Sequence, residues 1–87
     1  MGNKELVKIL KALGNERRVA ILKHLLAKKE LTVSQIATLI KLSFKSTSRH
    51  LSVLSGAGLI EARQADLNRF YSITSSGFPN HLLQLLR

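Results

Sequence analysis

Apolar residues in the first third of the chain repeat at the spacing of an α-helix. The first stripe consists of Leu6, Ile9, Leu10 and Leu13, with lysines on the opposite side. Gly14 is a helix stop signal, and Asn15 has a side chain that caps helix starts. The second stripe consists of Val19, Ile21, Leu22, Leu25 and Leu26. The pattern predicts two amphipathic helices joined by a short break.

The middle of the chain has the local signals of two further helices. Thr32-Val33-Ser34-Gln35 matches a capping box, in which the Thr hydroxyl and the Gln side chain each pair with a backbone N–H at the helix start. Ser43 can cap the next helix, which we expect to run from Phe44 to about Ser55. Two short helices joined by a tight turn, the second rich in Ser, Thr, Lys and Arg, are the outline of a helix-turn-helix.

The rest of the chain predicts a hairpin and a last helix. Residues 59–64 alternate in the manner of a strand, Asp66-Leu67-Asn68 is a polar tip, and residues 69–73 supply the returning strand. Pro79 fits the first turn of a helix that contains Leu82, Leu83, Leu85 and Leu86. The predicted fold class is mainly α with a small β-hairpin, a winged helix-turn-helix, in one domain over residues 1–87.

Composition and charge reduce the number of possible functions. The chain has 87 residues, no cysteine, 14 Lys and Arg against 5 Asp and Glu, and a formal net charge of +9. The excess of basic residues is spread over the predicted helices and hairpin, so a basic face that binds nucleic acid is the first expectation. No apolar run approaches the roughly 18 residues of a membrane span. We therefore expect a cytoplasmic protein with no membrane partner.

Three sequence segments now permit a family comparison. "ALGNERRVAILKHL", "ELTVSQIA" and "LSFKSTSRHLSVLSGAGLI" resemble the second helix, the third helix and the recognition helix of the ArsR family of bacterial and archaeal repressors. The looser winged-helix pattern also covers the MarR group, which stays an alternative. The resemblance runs from about Ala12 to Thr74. It implies a homodimeric DNA-binding regulator, most simply a repressor that occupies an inverted-repeat operator.

One departure from the family pattern bears on metals. Metal-sensing members often have Glu-Leu-Cys-Val-Cys in the third helix, whereas this chain has Glu30-Leu31-Thr32-Val33-Ser34. Hydroxyl oxygens are poor ligands for the soft or borderline ions that such sites hold. The three histidines, His24, His50 and His81, are scattered along the chain. We expect no metal and no cofactor.

The recognition helix supplies the candidate DNA contacts. Its positions that point away from the core are Lys45, Ser46, Ser48, Arg49 and Ser52, whereas Thr47, Leu51 and Leu54 are expected to pack inward. Arg49 is the best candidate for a base contact, because an arginine can donate two hydrogen bonds to guanine. Phe44 either touches a thymine methyl or covers the helix start. Arg63 and Arg69 flank the wing and can reach the minor groove or its phosphates, although Asp66 at the tip opposes this.

Two apolar stripes exceed what one small core can bury. They consist of Leu6, Ile9, Leu10 and Leu13 at one end and Leu82, Leu83, Leu85 and Leu86 at the other. We expect them to form the homodimer interface.

The spacing of residues along the chain indicates no catalytic group of a nucleophile, a base and a carboxylate, so we expect no enzyme. The rival interpretation is a winged-helix interaction module whose basic face docks an acidic protein.

Overall fold

The computed structural model describes residues 2–74 of the chain. The elements are α1 (Asn3–Leu13), α2 (Glu16–Lys28), β1 (Leu31–Thr32), α3 (Val33–Ile40), α4 (Phe44–Gly56), β2 (Ile60–Ala65) and β3 (Asn68–Ile73). The four predicted helices of this range and the predicted hairpin are confirmed. The last helix predicted from Pro79, with Leu82, Leu83, Leu85 and Leu86, lies outside the described residues. Within residues 2–74, no helix has the length and apolar content to cross a membrane.

Local side-chain caps fix where three of the helices begin. The backbone N–H of Arg18 donates to Oδ1 of Asn15 at 3.1 Å. The predicted capping box is present, because the N–H of Gln35 donates to Oγ1 of Thr32 at 3.2 Å and the N–H of Thr32 donates to Oε1 of Gln35 at 2.9 Å. Ser43 caps α4 in the same way. Each such cap stabilises its helix by about 1 kcal/mol.

The hairpin belongs to a three-stranded antiparallel sheet with the order β1-β3-β2. Strand β1 is only two residues long, and its Leu31 pairs with Tyr71. Directly opposed residues share a sheet face. One face packs on the helices through Leu31, Ile60, Tyr71 and Ile73. The other face carries Arg63 opposite Phe70 and looks away from the core.

Helix α2 lies at the centre of the core. Its Ile21, Leu22 and Leu25 are almost completely buried. They meet side chains from α1, α3, α4 and the sheet, namely Ala12, Ile36, Leu51, Leu54 and Leu59. Thr47 is also fully buried, as predicted. This core fixes the angle at which α4 presents its opposite face to solvent.

Candidate nucleic-acid interface

A turn of three residues joins α3 to α4. Lys41 ends α3 in the left-handed conformation, with φ 57° and ψ 48°. The N–H of Leu42 donates to the carbonyl of Ala37 at 3.1 Å. Ser43 then begins α4 at once. The chain therefore forms the helix-turn-helix with a lysine at a backbone position that glycine adopts more readily.

The predicted recognition-helix residues occupy a defined side of α4. Successive residues of a helix are rotated by about 100°. With Thr47, Leu51 and Leu54 in the core, Lys45, Arg49 and Ser52 lie on the opposite side and are exposed. Ser46 and Ser48 are half-buried on the two flanks of that side. The helix thus brings two cations and three hydroxyls to one surface.

Two apolar side chains of α4 are also exposed. Val53 is exposed and lies one helical turn beyond Arg49, and Phe44 is exposed at the first residue of α4. Exposed apolar groups beside hydrogen-bond donors suit contact with thymine methyl groups in the major groove. Val53 was missing from the candidate residues. Its spacing of four residues from Arg49 was the signal that could have identified it.

Two adjacent arginines of α2 tie the neighbouring helices together. Nη1 of Arg17 donates to the carbonyl of Ile40 at the end of α3, at 2.6 Å. Nε of Arg18 donates to the carbonyl of Ala12 at 2.7 Å, and its Nη2 donates to that of Lys11 at 3.0 Å, both at the end of α1. Cations are favourable at these carboxyl ends. Arg17 and Arg18 therefore set the positions of α1 and α3 around α2.

His50 on α4 faces these two arginines. The pKa of His50 lies below its usual value of 6.5, first because the ring is partly desolvated and then because Arg18 and Arg17 repel a second positive charge. A neutral ring is therefore the native form at neutral pH. His50 acts inside the domain and does not lie on the exposed face that contains Arg49.

The two wing arginines lie on opposite faces of the sheet. Arg63 pairs with Glu30 on the outer face through two hydrogen bonds, from Nε to Oε2 at 3.0 Å and from Nη2 to Oε1 at 3.1 Å. Its guanidinium also lies 5.1 Å from the centre of the Phe70 ring. Arg69 lies on the helix-facing side, 5.7 Å from the centre of the Tyr71 ring. Of these two arginines, only Arg63 has an acidic partner among residues 2–74.

The wing tip is neither basic nor glycine-rich. Asp66 has a positive φ of 54° in the turn between β2 and β3. Leu67, beside it, is 97% exposed. Tyr71, by contrast, packs against the core. Any contact between the wing tip and DNA therefore places one carboxylate and one apolar side chain next to the DNA.

The predicted interface residues of α1 divide into two sets. Leu6 and Leu10 are 47% and 58% exposed, and Val7 between them is also exposed. Ile9 is only 9% exposed and Leu13 packs against the core, because both face the interior of the same chain. Of the described candidates, Leu6 and Leu10 are thus the ones available to a partner. Leu82, Leu83, Leu85 and Leu86 lie outside the described residues.

The two hydroxyls at the family's thiolate positions have different surroundings. Oγ1 of Thr32 accepts the cap hydrogen bond of α3, whereas Ser34 is exposed. Within residues 2–74 no group of three or more His, Asp or Glu side chains has the arrangement of a metal site. His81 lies outside that range.

Comparison with known proteins decides the family. The sequence profile described as "Bacterial regulatory protein, arsR family" matches residues 15–62, from the cap of α2 into β2. The chain belongs to the ArsR family. The ArsR family is one of transcriptional regulators and not of enzymes. The resemblance of the recognition-helix segment is thereby confirmed for the ArsR rather than the MarR group.

Two curated ArsR-type relatives are similar in sequence. The transcriptional activator HlyU of Vibrio cholerae is 39% identical over 70 residues, which are 80% of this chain and 64% of HlyU. An HTH-type transcriptional regulator of Mycobacterium tuberculosis is 38% identical over 79% of this chain and 30% of its own length. The chain thus spans less than two thirds of the length of either relative.

Solved structures agree with the winged helix-turn-helix of the ArsR family. HlyU from Vibrio cholerae has a TM-score of 0.83 and 34% identity, over 99% of this chain and 94% of that one. A homodimeric winged helix-turn-helix DNA-binding domain from Mycobacterium bovis has a TM-score of 0.78 and 32% identity, over 95% and 72%. The transcriptional repressor PagR of Bacillus anthracis has a TM-score of 0.81 and 26% identity, over 97% and 94%. The predicted fold class is confirmed.

Proposed function

We propose that this chain acts in the cytoplasm as a homodimer that binds double-stranded DNA and represses transcription by occupying an inverted-repeat operator. The observation that carries the proposal is the exposed side of α4, where Lys45, Arg49 and Ser52 lie opposite the buried Thr47 and Leu51. Ser46 and Ser48 flank them. A helix-turn-helix inserts this side of its second helix into the major groove.

Charge supports a polyanionic partner. The chain carries a formal +9, so a dimer carries +18 by doubling. Arg17 and Arg18 donate hydrogen bonds to backbone carbonyls inside the domain. Lys45, Arg49 and Arg69 are exposed and project from α4 and the wing. Sequence-independent attraction to phosphate is therefore strong and falls steeply with salt.

The proposed dimer determines the operator's form. The apolar side of α1, with Leu6 and Leu10, is the described surface proposed for contact with a second copy. The Mycobacterium bovis relative is described as homodimeric. Two recognition helices related by a two-fold axis enter successive major grooves about 34 Å apart, so half-sites are centred roughly ten base pairs apart.

Selection of random duplex DNA by the purified chain tests the proposal. We expect enrichment of an inverted repeat with that half-site spacing. Equal retention of all sequences would leave only non-specific binding and refute the sequence-specific function. Copurification with one acidic protein that resists nuclease treatment would favour the interaction module instead.

The direction of regulation needs a separate measurement. PagR is described as a repressor and HlyU as an activator, so the fold serves both. A dimer bound across a promoter occludes the DNA that it covers. We expect a reporter gene with the selected site over its promoter to lose expression when the chain is produced. A rise in expression would refute repression by occlusion.

A further inference from the structure

Glu30, Arg63 and Phe70 form a compact group on the outer face of the sheet. The guanidinium of Arg63 donates two parallel hydrogen bonds to the carboxylate of Glu30 and lies over the ring of Phe70, its directly opposed neighbour on β3. Paired donors on a carboxylate give the geometry in which an arginine also binds phosphate. The carboxylate of Glu30 therefore occupies the donors that a DNA backbone would use.

The backbone before β1 places Glu30 in this position. Lys29 has φ 70° and ψ −56°, and the N–H of Glu30 donates to the carbonyl of Lys28 at 2.8 Å. This is a γ-turn with a positive φ, a conformation that is rare and strained for a residue other than glycine. Strand β1 then pairs Thr32 with Phe70. Because Phe70 also opposes Arg63 across the sheet, the turn and the register bring Glu30 to Arg63.

The ion pair changes the charge that the wing presents. Glu30 and Arg63 together are neutral, and no other ion pair occurs within residues 2–74. Arg69, on the other face, keeps its full charge without an acidic partner in that range. The side chains of Arg63 and Glu30 are 57% and 41% exposed. Solvent therefore weakens the ion pair, and a single substitution can break it.

We propose that Glu30 is a specificity-determining residue of the DNA interface, whose carboxylate pairs with Arg63, keeps Arg63 from binding phosphate and so lowers the sequence-independent affinity. This inference rests on the proposed function. Arg69 is then the wing arginine that contacts the DNA backbone. Arg63, expected from the sequence as a phosphate contact, becomes one only after the pair opens.

Glu30→Gln tests the inference, with Glu61→Gln as the matched control. Glu61 lies two residues before Arg63 on the same outer face of β2 and forms no ion pair among the described residues. Both substitutions remove one negative charge, but only Glu30→Gln frees Arg63. Fluorescence anisotropy of the 87-residue chain on scrambled duplex DNA, over a salt series, measures the affinity and the number of phosphate contacts.

We expect Glu30→Gln to bind scrambled DNA several-fold more tightly at low salt and to steepen the slope of log affinity against log salt by about 0.9 per chain. Glu61→Gln should keep the wild-type slope. Arg63→Gln alone should also keep that slope, and Glu30→Gln/Arg63→Gln should return to it. Circular dichroism of each variant checks that the fold is retained.

Two results overturn the inference while the proposed function stands. Either Arg63→Gln lowers the slope in the wild-type background, so that Arg63 already touches DNA, or Glu30→Gln and Glu61→Gln behave alike. Failure of the wild-type chain to bind any duplex at low salt would refute both the proposed function and this inference.

Discussion

Nδ1 of His50 lies 3.2 Å from Nη1 of Arg18. An arginine only donates hydrogen bonds, so Nδ1 must be the unprotonated acceptor. The same guanidinium donates hydrogen bonds to the carbonyls of Lys11 and Ala12 at the end of α1. Arg18 therefore joins the end of α1 to the recognition helix, provided that the His50 ring is neutral.

This contact predicts that acid weakens the fold through His50. The pKa of His50 in the folded chain lies below the value of 6.5 that it has when unfolded, because of desolvation and the two arginines. Between these two values the unfolded chain binds more protons, so stability is full above pH 6.5 and falls as the pH drops through the lowered pKa. Urea unfolding measured from about pH 7.5 down to about pH 5 should show this decline.

The His50→Gln variant isolates the contribution of that one ring. Its stability should depend less on pH than that of the wild type. An unchanged pH dependence in His50→Gln would contradict the assignment.

A buried hydroxyl predicts a stabilising substitution. Oγ1 of Thr47 is buried and forms no hydrogen bond among the described residues. A buried hydroxyl without a partner costs about 1 to 3 kcal/mol. Thr47→Val should therefore raise the free energy of unfolding by about 1 kcal/mol and leave DNA affinity unchanged. Urea denaturation and anisotropy measure the two quantities.

Thr38→Val is the control for Thr47→Val. Thr38 is exposed on α3, and its hydroxyl donates to the carbonyl of Ser34 at 3.0 Å. Its replacement should change stability by no more than about 0.5 kcal/mol. Equal effects from the two variants would mean that the buried hydroxyl of Thr47 carries no penalty.

Most of the fold could be predicted because its signals are local. Asn15, Thr32 and Ser43 each cap a helix through a backbone N–H three residues ahead, and such spacing is visible in the sequence. Strand β1 could not be found this way. Its two residues have no strand pattern of their own and depend on pairing with β3.

The candidate site also combines features that local sequence signals predict with contacts that they do not predict. Helical periodicity was enough to place Lys45 and Arg49 opposite Thr47. The contacts of Arg63 with Glu30 and of Arg18 with His50 join residues 33 and 32 positions apart. Only the packed fold brings these partners together, so the sequence showed Arg63 as a free cation and left Arg18 without a role.

The division of α1 predicts different effects of two neighbouring substitutions. Leu10 is 58% exposed and Ile9 is 9% exposed. Leu10→Glu should dissociate the proposed dimer and retain the fold, because the side chain contributes little to the core. Ile9→Ala should destabilise the folded chain by about 2 to 4 kcal/mol. Analytical ultracentrifugation and urea denaturation separate these outcomes.

Truncation after Asn80 tests the other half of the proposed interface. It removes Leu82, Leu83, Leu85 and Leu86, and we expect it to weaken the dimer. A stable monomer of the full chain at micromolar concentration, with no change on truncation, would overturn dimerisation through the terminal helices.

Operator affinity should not respond to transition metals. Thr32 and Ser34 stand where thiolates would be needed, and the oxygen of Thr32 already accepts the cap hydrogen bond of α3. Anisotropy with the selected operator should give the same affinity in added zinc and in chelator. A reproducible stoichiometric change with one metal would contradict this expectation and make His81 the first residue to replace.

Arg49 should determine base preference at one position of each half-site. It is exposed in the middle of the outward side of α4, with Lys45 one turn before it. If its guanidinium donates two hydrogen bonds to guanine, Arg49→Ala should cost about 1 to 3 kcal/mol per half-site and flatten the preference at one symmetric base pair.

Arg69→Ala serves as the comparison, because Arg69 is the wing cation without an acidic partner in the described range. A residue that contacts only phosphate weakens all sequences alike and lowers the salt slope by roughly one unit. Affinities of both variants for the selected operator and for scrambled DNA, over a salt series, distinguish the two roles. If Arg49→Ala lowered both affinities equally and kept the base preference, Arg49 would bind phosphate and another residue of α4 would read the base.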